Sequence, residues 1–150
     1  MIIEHVTSLS SAINIIQTGH YKPASRNPLH GDVGLNCLNG TPNNTYAGNG
    51  VILKLNWTGQ LPIMNLYLQE PYCPNKIYDE GPWRLFVPIG TSKYLTFNSL
   101  VINSNVQLEE YLVSKTNFLK KLLIRNWMRK EKRKLDIFLS ESKEKPIHLL

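Results

Sequence analysis

Four histidines and two cysteines are the side chains of this 150-residue sequence with the types needed for metal or thiol chemistry. They are scattered along the chain: His5, His20, His30, Cys37, Cys73 and His148. Structural zinc sites draw on closely spaced ligand pairs, so the sequence predicts no metal site. We expect Cys37 and Cys73 to be reduced structural thiols, although the sequence also allows a disulfide between them.

The generic signatures of common enzyme classes are missing from the sequence. It has no phosphate-binding Gly loop with Lys, no Gly-x-Ser-x-Gly turn and no His-Glu-x-x-His motif. The distinctive feature is the opening, where His5 and Thr7 stand at the end of a short apolar segment. A histidine in such a segment is either a binding group or an ordinary hydrogen-bonded core residue. The pattern of the residues around His5 is what can distinguish these two interpretations.

Hydrophobic periodicity predicts the elements that position His5 and Thr7. Residues 2–6 indicate a strand, and the apolar residues at positions 9, 12, 13 and 16 indicate one face of a helix. A hydroxyl of Thr7 or Ser8 can cap the start of this helix, and Gly19 stands where a left-handed C-cap is needed. The opening is therefore predicted to be a strand followed by an amphipathic helix.

The rest of the body is predicted to be mainly strands and loops. Residues 20–50 are rich in Gly, Pro, Asn and Ser, which favours a long loop with a short strand or helix in it. Alternating apolar residues predict strands over 51–57 and 83–89, and β-branched and aromatic residues predict another over 94–101. A shorter strand is expected within 63–68, and a hairpin is the simplest connection between 83–89 and 94–101. These elements predict a mixed, mostly antiparallel α+β fold.

The opening residues 2–19 resemble the first motif of the ADP-ribosyltransferase superfamily, as found in DNA-targeting toxins, the poly(ADP-ribose) polymerase branch and polymorphic bacterial toxins. There a strand carrying His-x-Thr precedes a helix with a small-residue start and a Gly end. Residues 46–53, Tyr-Ala-Gly-Asn-Gly-Val-Ile-Leu, are similar to the strand that follows the loop with the nicotinamide-stacking Tyr. Residues 92–98 are similar to the late strand of the family, in which Lys93 stands at the place of the catalytic Glu.

The resemblance implies an ADP-ribosyltransferase-like split sheet, with an early amphipathic helix and a basic C-terminal helix, that uses NAD as its substrate. His5 would hold a ribose hydroxyl, and Val6 and Thr7 would hold the carboxamide. Tyr46 or Tyr21 would supply the aromatic face for the nicotinamide ring.

The catalytic carboxylate of the family has no obvious equivalent in this sequence. Lys93 has only hydrogen-bond donors and would repel an oxocarbenium-like transition state. The candidates for its replacement are Asp32, Glu80 and Glu109, and the last stands in Gln-Leu-Glu, which resembles the Gln-x-Glu turn of toxin-type transferases. The implied catalytic set is therefore His5, Tyr46 and Glu109. Glu109 is equally explained as an acid favoured by the dipole at a helix N-terminus.

Positive charge is concentrated at the C-terminal end. Residues 1–114 hold six Lys or Arg against seven acids, whereas residues 115–150 hold eleven against four, which accounts for the net charge of +6. Residues 109–134 predict a long helix, continuous or interrupted, whose second half carries Arg129, Lys130, Arg133 and Lys134. This half is either a solvated helix end, a nucleic-acid contact with Trp127 stacking on a base, or a membrane-surface helix.

The length predicts one domain over 1–150, with a body over 1–108 and a basic helical region over 109–140. Neither a transmembrane segment nor a signal peptide is recognisable, so we expect a cytoplasmic site of action. The first hypothesis is an NAD-dependent mono-ADP-ribosyltransferase, toxin- or effector-like, that modifies a macromolecular acceptor. The alternative is a non-enzymatic module on the same fold that binds nucleic acid or protein.

Overall fold

A computed structural model describes residues 1–22, 34–38, 50–58, 64–65, 70–71, 84–103, 105–114 and 124–150. Their elements follow one another along the chain as β1 (Ile2–Thr7), α1 (Leu9–Thr18), β2 (His20–Tyr21), β3 (Gly34–Leu38), β4 (Val51–Trp57), β5 (Met64–Asn65), β6 (Glu70–Pro71), β7 (Arg84–Pro88), a 3₁₀ helix (Ile89–Tyr94), β8 (Leu95–Val101), α2 (Asn105–Ser114), α3 (Ile124–Glu141) and β9 (His148–Leu149). The mixed α+β class is confirmed.

Seven strands form one sheet in the order β6-β5-β7-β3-β1-β4-β8, and every pairing in it is antiparallel. The predicted hairpin between 83–89 and 94–101 is wrong. β7 pairs with β3 and β5, whereas β8 pairs with β4, so β3, β1 and β4 lie between them. Alternation identifies a strand but carries no information about its partner. The 3₁₀ helix makes this crossover, and its Ile89 and Tyr94 pack on the core.

The last residues return to the sheet and to the start of the chain. Glu144 and Ile147 donate backbone hydrogen bonds to Phe97 O and Leu95 O at 2.8 and 3.0 Å, so residues 144–147 lie along the outer edge of β8. β9 then pairs in parallel with β2 as a separate two-stranded sheet. We call residues 144–149 the C-terminal strap. The expected boundary at 108/109 falls within α2, and the strap joins the basic region to the body.

The helix α1 is formed as its residue pattern predicts. Ser8 caps its start, because the Ser8 Oγ accepts a hydrogen bond from the Ser11 N–H at 3.1 Å. Gly19 ends it in the left-handed conformation, with φ 71°, and donates its N–H to Ile15 O at 2.8 Å. Both caps satisfy backbone groups that the helix itself leaves without partners. They fix the angle at which the chain leaves β1 and enters β2.

One face of the sheet carries two apolar clusters. The first joins inward residues of the central strands to Ile15 and Ile16 of α1 and to Ile147 and Leu149 of the strap. The second lies beneath α2 and α3 and includes Leu9, Ala12, Ile13, Leu108, Leu112 and Leu135. Of the helix predicted over 109–134, continuous or interrupted, the described residues are helical in α2 and α3, and residues 115–123 lie outside the described part. No helix in the described part of the chain is long and apolar enough to cross a membrane.

Candidate functional site

His5 lies on β1, the strand between β3 and β4 in the main sheet, and is paired with Leu53 of β4. Its Nδ1 lies 2.8 Å from the backbone oxygen of Asn36 on β3. A carbonyl oxygen can only accept, so Nδ1 carries the proton and donates. Burial lowers the pKa of His5, although the hydrogen bond to Asn36 acts in the opposite direction. The ring is therefore neutral near pH 7, with Nε2 as a hydrogen-bond acceptor.

Tyr21 packs against His5. The centroids of the two rings are 5.4 Å apart and the ring planes are tilted by 54°. Tyr21 belongs to β2, which follows directly after the Gly19 cap, so the end of α1 determines where this ring lies. Burial raises the pKa of the Tyr21 hydroxyl, with a smaller effect from the nearby Cys37 thiol. The Tyr21 phenol is therefore neutral across the physiological range.

Cys37 and Thr7 complete the surroundings on the same face of the sheet. Cys37 is buried as a free thiol, and burial raises its pKa far above the usual value for a thiol. It is a free thiol, as expected, and Cys73, with which the sequence also allowed a disulfide, lies outside the described residues. Thr7 is two residues beyond His5 on β1, so its partly buried side chain projects from the same face, whereas Val6 projects from the other.

The remaining predicted site residues are not gathered at His5. Tyr46, Asp32 and Glu80 lie outside the described residues. Glu109 is exposed on α2 and borders a cavity of about 190 Å³ whose other lining residues also belong to α2 and α3: Leu108, Leu112, Met128, Arg129 and Lys132. Within the described ranges, neither His5 nor Tyr21 forms a hydrogen bond or an ion pair with a carboxylate. The structure thus brings together His5 and Tyr21 without Glu109.

Lys93 does not lie on a strand, which corrects its expected place on a late strand, although residues 95–98 of the compared segment do lie on β8. It belongs to the 3₁₀ helix, and β8 begins two residues later, at Leu95. Its side chain is exposed, with the Nζ 5.1 Å from the centre of the Tyr94 ring. Because Lys93 faces solvent before the strand begins, it occupies no position on β8 beside β4.

The basic residues over 129–134 of α3 are exposed, although some of them also border the cavities between the helices. Arg129, Lys130 and Arg133 are exposed, and Lys134, also exposed, lies 2.6 Å from the carboxylate of Glu131. Trp127 is partly buried against the second apolar cluster. It lines a cavity of about 260 Å³ between the three helices with Tyr111, Phe138 and other residues. The predicted stacking of Trp127 on a nucleic-acid base stays a prediction, since its ring is only partly buried.

Two of the contacts made by histidines could not be predicted from the sequence. The partner of His5 is a backbone oxygen, that of Asn36, and a backbone acceptor leaves no trace in residue type. His20 and His148 lie on paired strands although they are near opposite ends of the chain. Within the described part of the chain, no group of three or more His, Cys, Asp or Glu side chains is placed to hold a metal ion.

Comparison with protein families, with characterised proteins and with solved structures finds no significant match to this chain.

Proposed function

We propose that this protein is an NAD-dependent mono-ADP-ribosyltransferase, toxin- or effector-like with a cytoplasmic site of action, that modifies a macromolecular acceptor. The observation that supports this proposal is the pairing of His5 with Tyr21, 5.4 Å apart, on a central strand that leads into a Gly-capped helix. The fold would be of the ADP-ribosyltransferase type, with the seven-stranded sheet and the β2–β9 pair as its two sheets.

The neutral His5 ring suits a ribose hydroxyl as its ligand. Its Nδ1–H donates a hydrogen bond to Asn36 O, which holds the ring in one orientation. Nε2 is then available to accept a hydrogen bond from an O–H group. Tyr21 would take the nicotinamide ring, because among the described residues it is a tyrosine in contact with His5; Tyr46, the other candidate, lies outside the described residues. Thr7 would add its hydroxyl from the same face of β1.

Transfer of ADP-ribose also needs a carboxylate to offset the positive charge that develops on the ribose. Lys93 cannot supply it, and Glu109 borders a cavity between α2 and α3. Asp32 precedes β3 by two residues in the sequence, and β3 is the neighbour of β1 that holds His5. We therefore place Asp32 first among the candidate acids, before Glu80 and Glu109.

Calorimetric titration of the full chain with NAD tests the nucleotide site. The wild type should bind NAD, and His5→Ala should weaken binding by about 5- to 13-fold, since a hydrogen bond to a buried group contributes about 1–1.5 kcal/mol. His148→Ala is the matched control, because this histidine is exposed and lies on β9. Absence of binding by the folded wild type would refute the proposal, as would equal affinity of wild type and His5→Ala.

Incubation with labelled NAD and candidate acceptors separates binding from transfer. Asp32→Asn, Glu80→Gln and Glu109→Gln, made one at a time, should leave NAD binding in place, and one of them should abolish label transfer. If wild type binds NAD but labels no acceptor and releases no nicotinamide, the protein is an NAD-binding protein and the enzymatic part of the proposal fails.

A second candidate function, a non-enzymatic nucleic-acid-binding module, is favoured by the orientation of α3. The apolar side of α3 packs against the rest of the protein, since Leu135 is buried and Phe138 and Leu139 pack on both apolar clusters. A membrane-surface helix must insert such a side between lipids. The side that remains available carries Arg129, Lys130 and Arg133, which suits the phosphates of a nucleic acid.

The salt dependence of binding to a fluorescent DNA duplex tests the second candidate. If three phosphates are neutralised, the slope of log K against log salt changes by about 2.7, so binding falls about 40-fold between 50 and 200 mM salt. Replacing Arg129, Lys130 and Arg133 with Gln should remove this contribution. The control replaces Lys22, Lys93 and Lys143 with Gln, which removes the same charge elsewhere. Equal loss in both variants, or binding to anionic vesicles but not to DNA, would refute a nucleic-acid surface on α3.

A further inference from the structure

The parallel pairing of β2 with β9 brings two exposed histidines together. His20 and His148 are opposite one another in the register. Their ring centroids are 5.7 Å apart, and the ring planes are tilted by 36°. Neither residue belongs to the site proposed for NAD, although Tyr21, the next residue after His20, does. The strap alone creates this pair, because it carries His148 along β8 to the side of β2.

We propose that His20 and His148 form a two-histidine binding site for a divalent transition-metal ion of the kind that prefers imidazole, with Zn²⁺ as its simplest example. Imidazole nitrogens bind zinc at about 2.0–2.1 Å, which places two rings bound at the tetrahedral angle with their centroids about 5 Å apart. The observed separation of 5.7 Å is close to this distance. Rotation of exposed side chains is sufficient to close the difference.

The hydrogen bond at His20 is the kind found at metal-binding histidines. Its Nδ1 lies 2.9 Å from the backbone oxygen of Thr18, so this nitrogen donates and Nε2 keeps its lone pair. Metal-ligating histidines almost always donate their other ring N–H to a carbonyl or carboxylate, which fixes the ring and raises its basicity. Thr18 is itself held in place, because its Oγ1 donates to Asn14 O at 2.8 Å.

Two ligands leave the other coordination positions of the ion to water or to an incoming group. Such a site is open and exchangeable, unlike the closed four-ligand sites that zinc-dependent folds require. Bound metal would also join β9 to β2 through side chains, in addition to the backbone bonds from His148 N to Gly19 O and from Leu150 N to Tyr21 O. We therefore expect metal to stabilise the strap.

Calorimetry with Zn²⁺ on the metal-free full chain at pH 7.5 tests the site. His20→Gln and His148→Gln should each weaken binding by at least about 10-fold, because each removes one of two ligands. His30→Gln is the matched control and should bind as the wild type does. Circular dichroism establishes that the variants are folded, which exposed positions such as 20 and 148 should allow.

Two further measurements test whether Zn²⁺ binds at His20 and His148 and not at the other histidines. Zn²⁺ should shift or broaden the ring resonances of His20 and His148 in NMR spectra and leave those of His5 unchanged. It should also raise the unfolding temperature of the wild type but not of the two variants. Equal zinc affinity in wild type and both variants, or ring shifts confined to His5 or His30, would overturn the proposal. Neither outcome bears on NAD binding, which uses other residues.

Discussion

Replacement of Gly19 by Ala should destabilise the protein through both the helix α1 and the strap. Gly19 has φ 71°, a conformation that L-residues adopt only at a cost. A Cβ at this position would lie 3.1 Å from the backbone oxygen of Pro146 and 3.7 Å from the Lys145 side chain. The first of these distances is shorter than an ordinary van der Waals contact, so either Gly19 or the strap must move.

The size of the effect follows from how firmly the strap is held. Phe97 donates its N–H to Lys145 O at 2.8 Å on one side of Pro146, and His148 donates to Gly19 O at 2.8 Å on the other. The left-handed conformation costs an alanine about 1–2 kcal/mol. With a displaced backbone oxygen contributing about 1 kcal/mol more, we expect a total loss of about 2–3 kcal/mol, within the usual range for a single strained substitution.

Urea denaturation of wild type and Gly19→Ala measures this loss, which should lower the midpoint without changing the slope. Gly19→Asn is the informative comparison, because asparagine tolerates φ > 0 but still places a Cβ against Pro146. It should lose less stability than the alanine variant. A loss below about 0.5 kcal/mol for Gly19→Ala would refute the close packing of the strap against the end of α1.

Three further predictions concern stability and reactivity. Burial lowers the pKa of His5 below its unfolded value of 6.5, so the unfolded state takes up the proton first. Stability measured by urea should therefore fall as pH drops below 6.5, and His5→Gln should lessen this dependence. Leu135 is 8% exposed, so Leu135→Ala should lower the free energy of unfolding by about 2–5 kcal/mol. Ile137 is 56% exposed, so Ile137→Ala should lower it by less than about 0.5 kcal/mol. Urea or thermal unfolding measures both losses. The buried Cys37 thiol, whose pKa burial raises, should react with an alkylating reagent only as the protein unfolds; rapid labelling of this residue in the folded protein would contradict its burial.

The helix α1 was predictable in full because all of its determinants are local. The apolar spacing, the hydroxyl at Ser8 and the glycine at position 19 lie within a dozen residues, and each has a physical role that its residue type reveals. The strand β4 was predictable for the same reason, since its alternation is local and its inward residues are buried.

Strand partners were not predictable, because they depend on contacts far apart in sequence. The connection from β7 to β8 passes three strands instead of turning back as a hairpin. The pairing of β2 with β9 joins two-residue strands whose sequences, His-Tyr and His-Leu, carry no strand pattern. A strand so short is formed by its surroundings, here the strap and the end of α1.

The residues of the candidate site also differ in how far they could be predicted from local sequence. His5 and Thr7 could be selected from the opening motif, and their shared face follows from strand alternation. The contact of Tyr21 with His5 needed the fold, because the two residues lie on different sheets, whereas Tyr46 lies outside the described residues. The packing of Trp127 against the second cluster also needed the fold, because the cations beside it in the sequence do not reveal which side of the helix is covered.

The order of the main sheet bears on how the molecule is made. β1 lies in the interior of the sheet, yet it precedes both of its neighbours, β3 and β4, in the chain. A nascent polypeptide therefore exposes this interior strand before either of its neighbours is made, and the residues that clasp β8 and β2 are made after every strand of the main sheet. Because distant contacts must form together, folding should be slow and largely post-translational. During synthesis, β1 lacks both of its partners until β3 and β4 are made, and an unpaired strand of this kind is a point at which a chaperone can act.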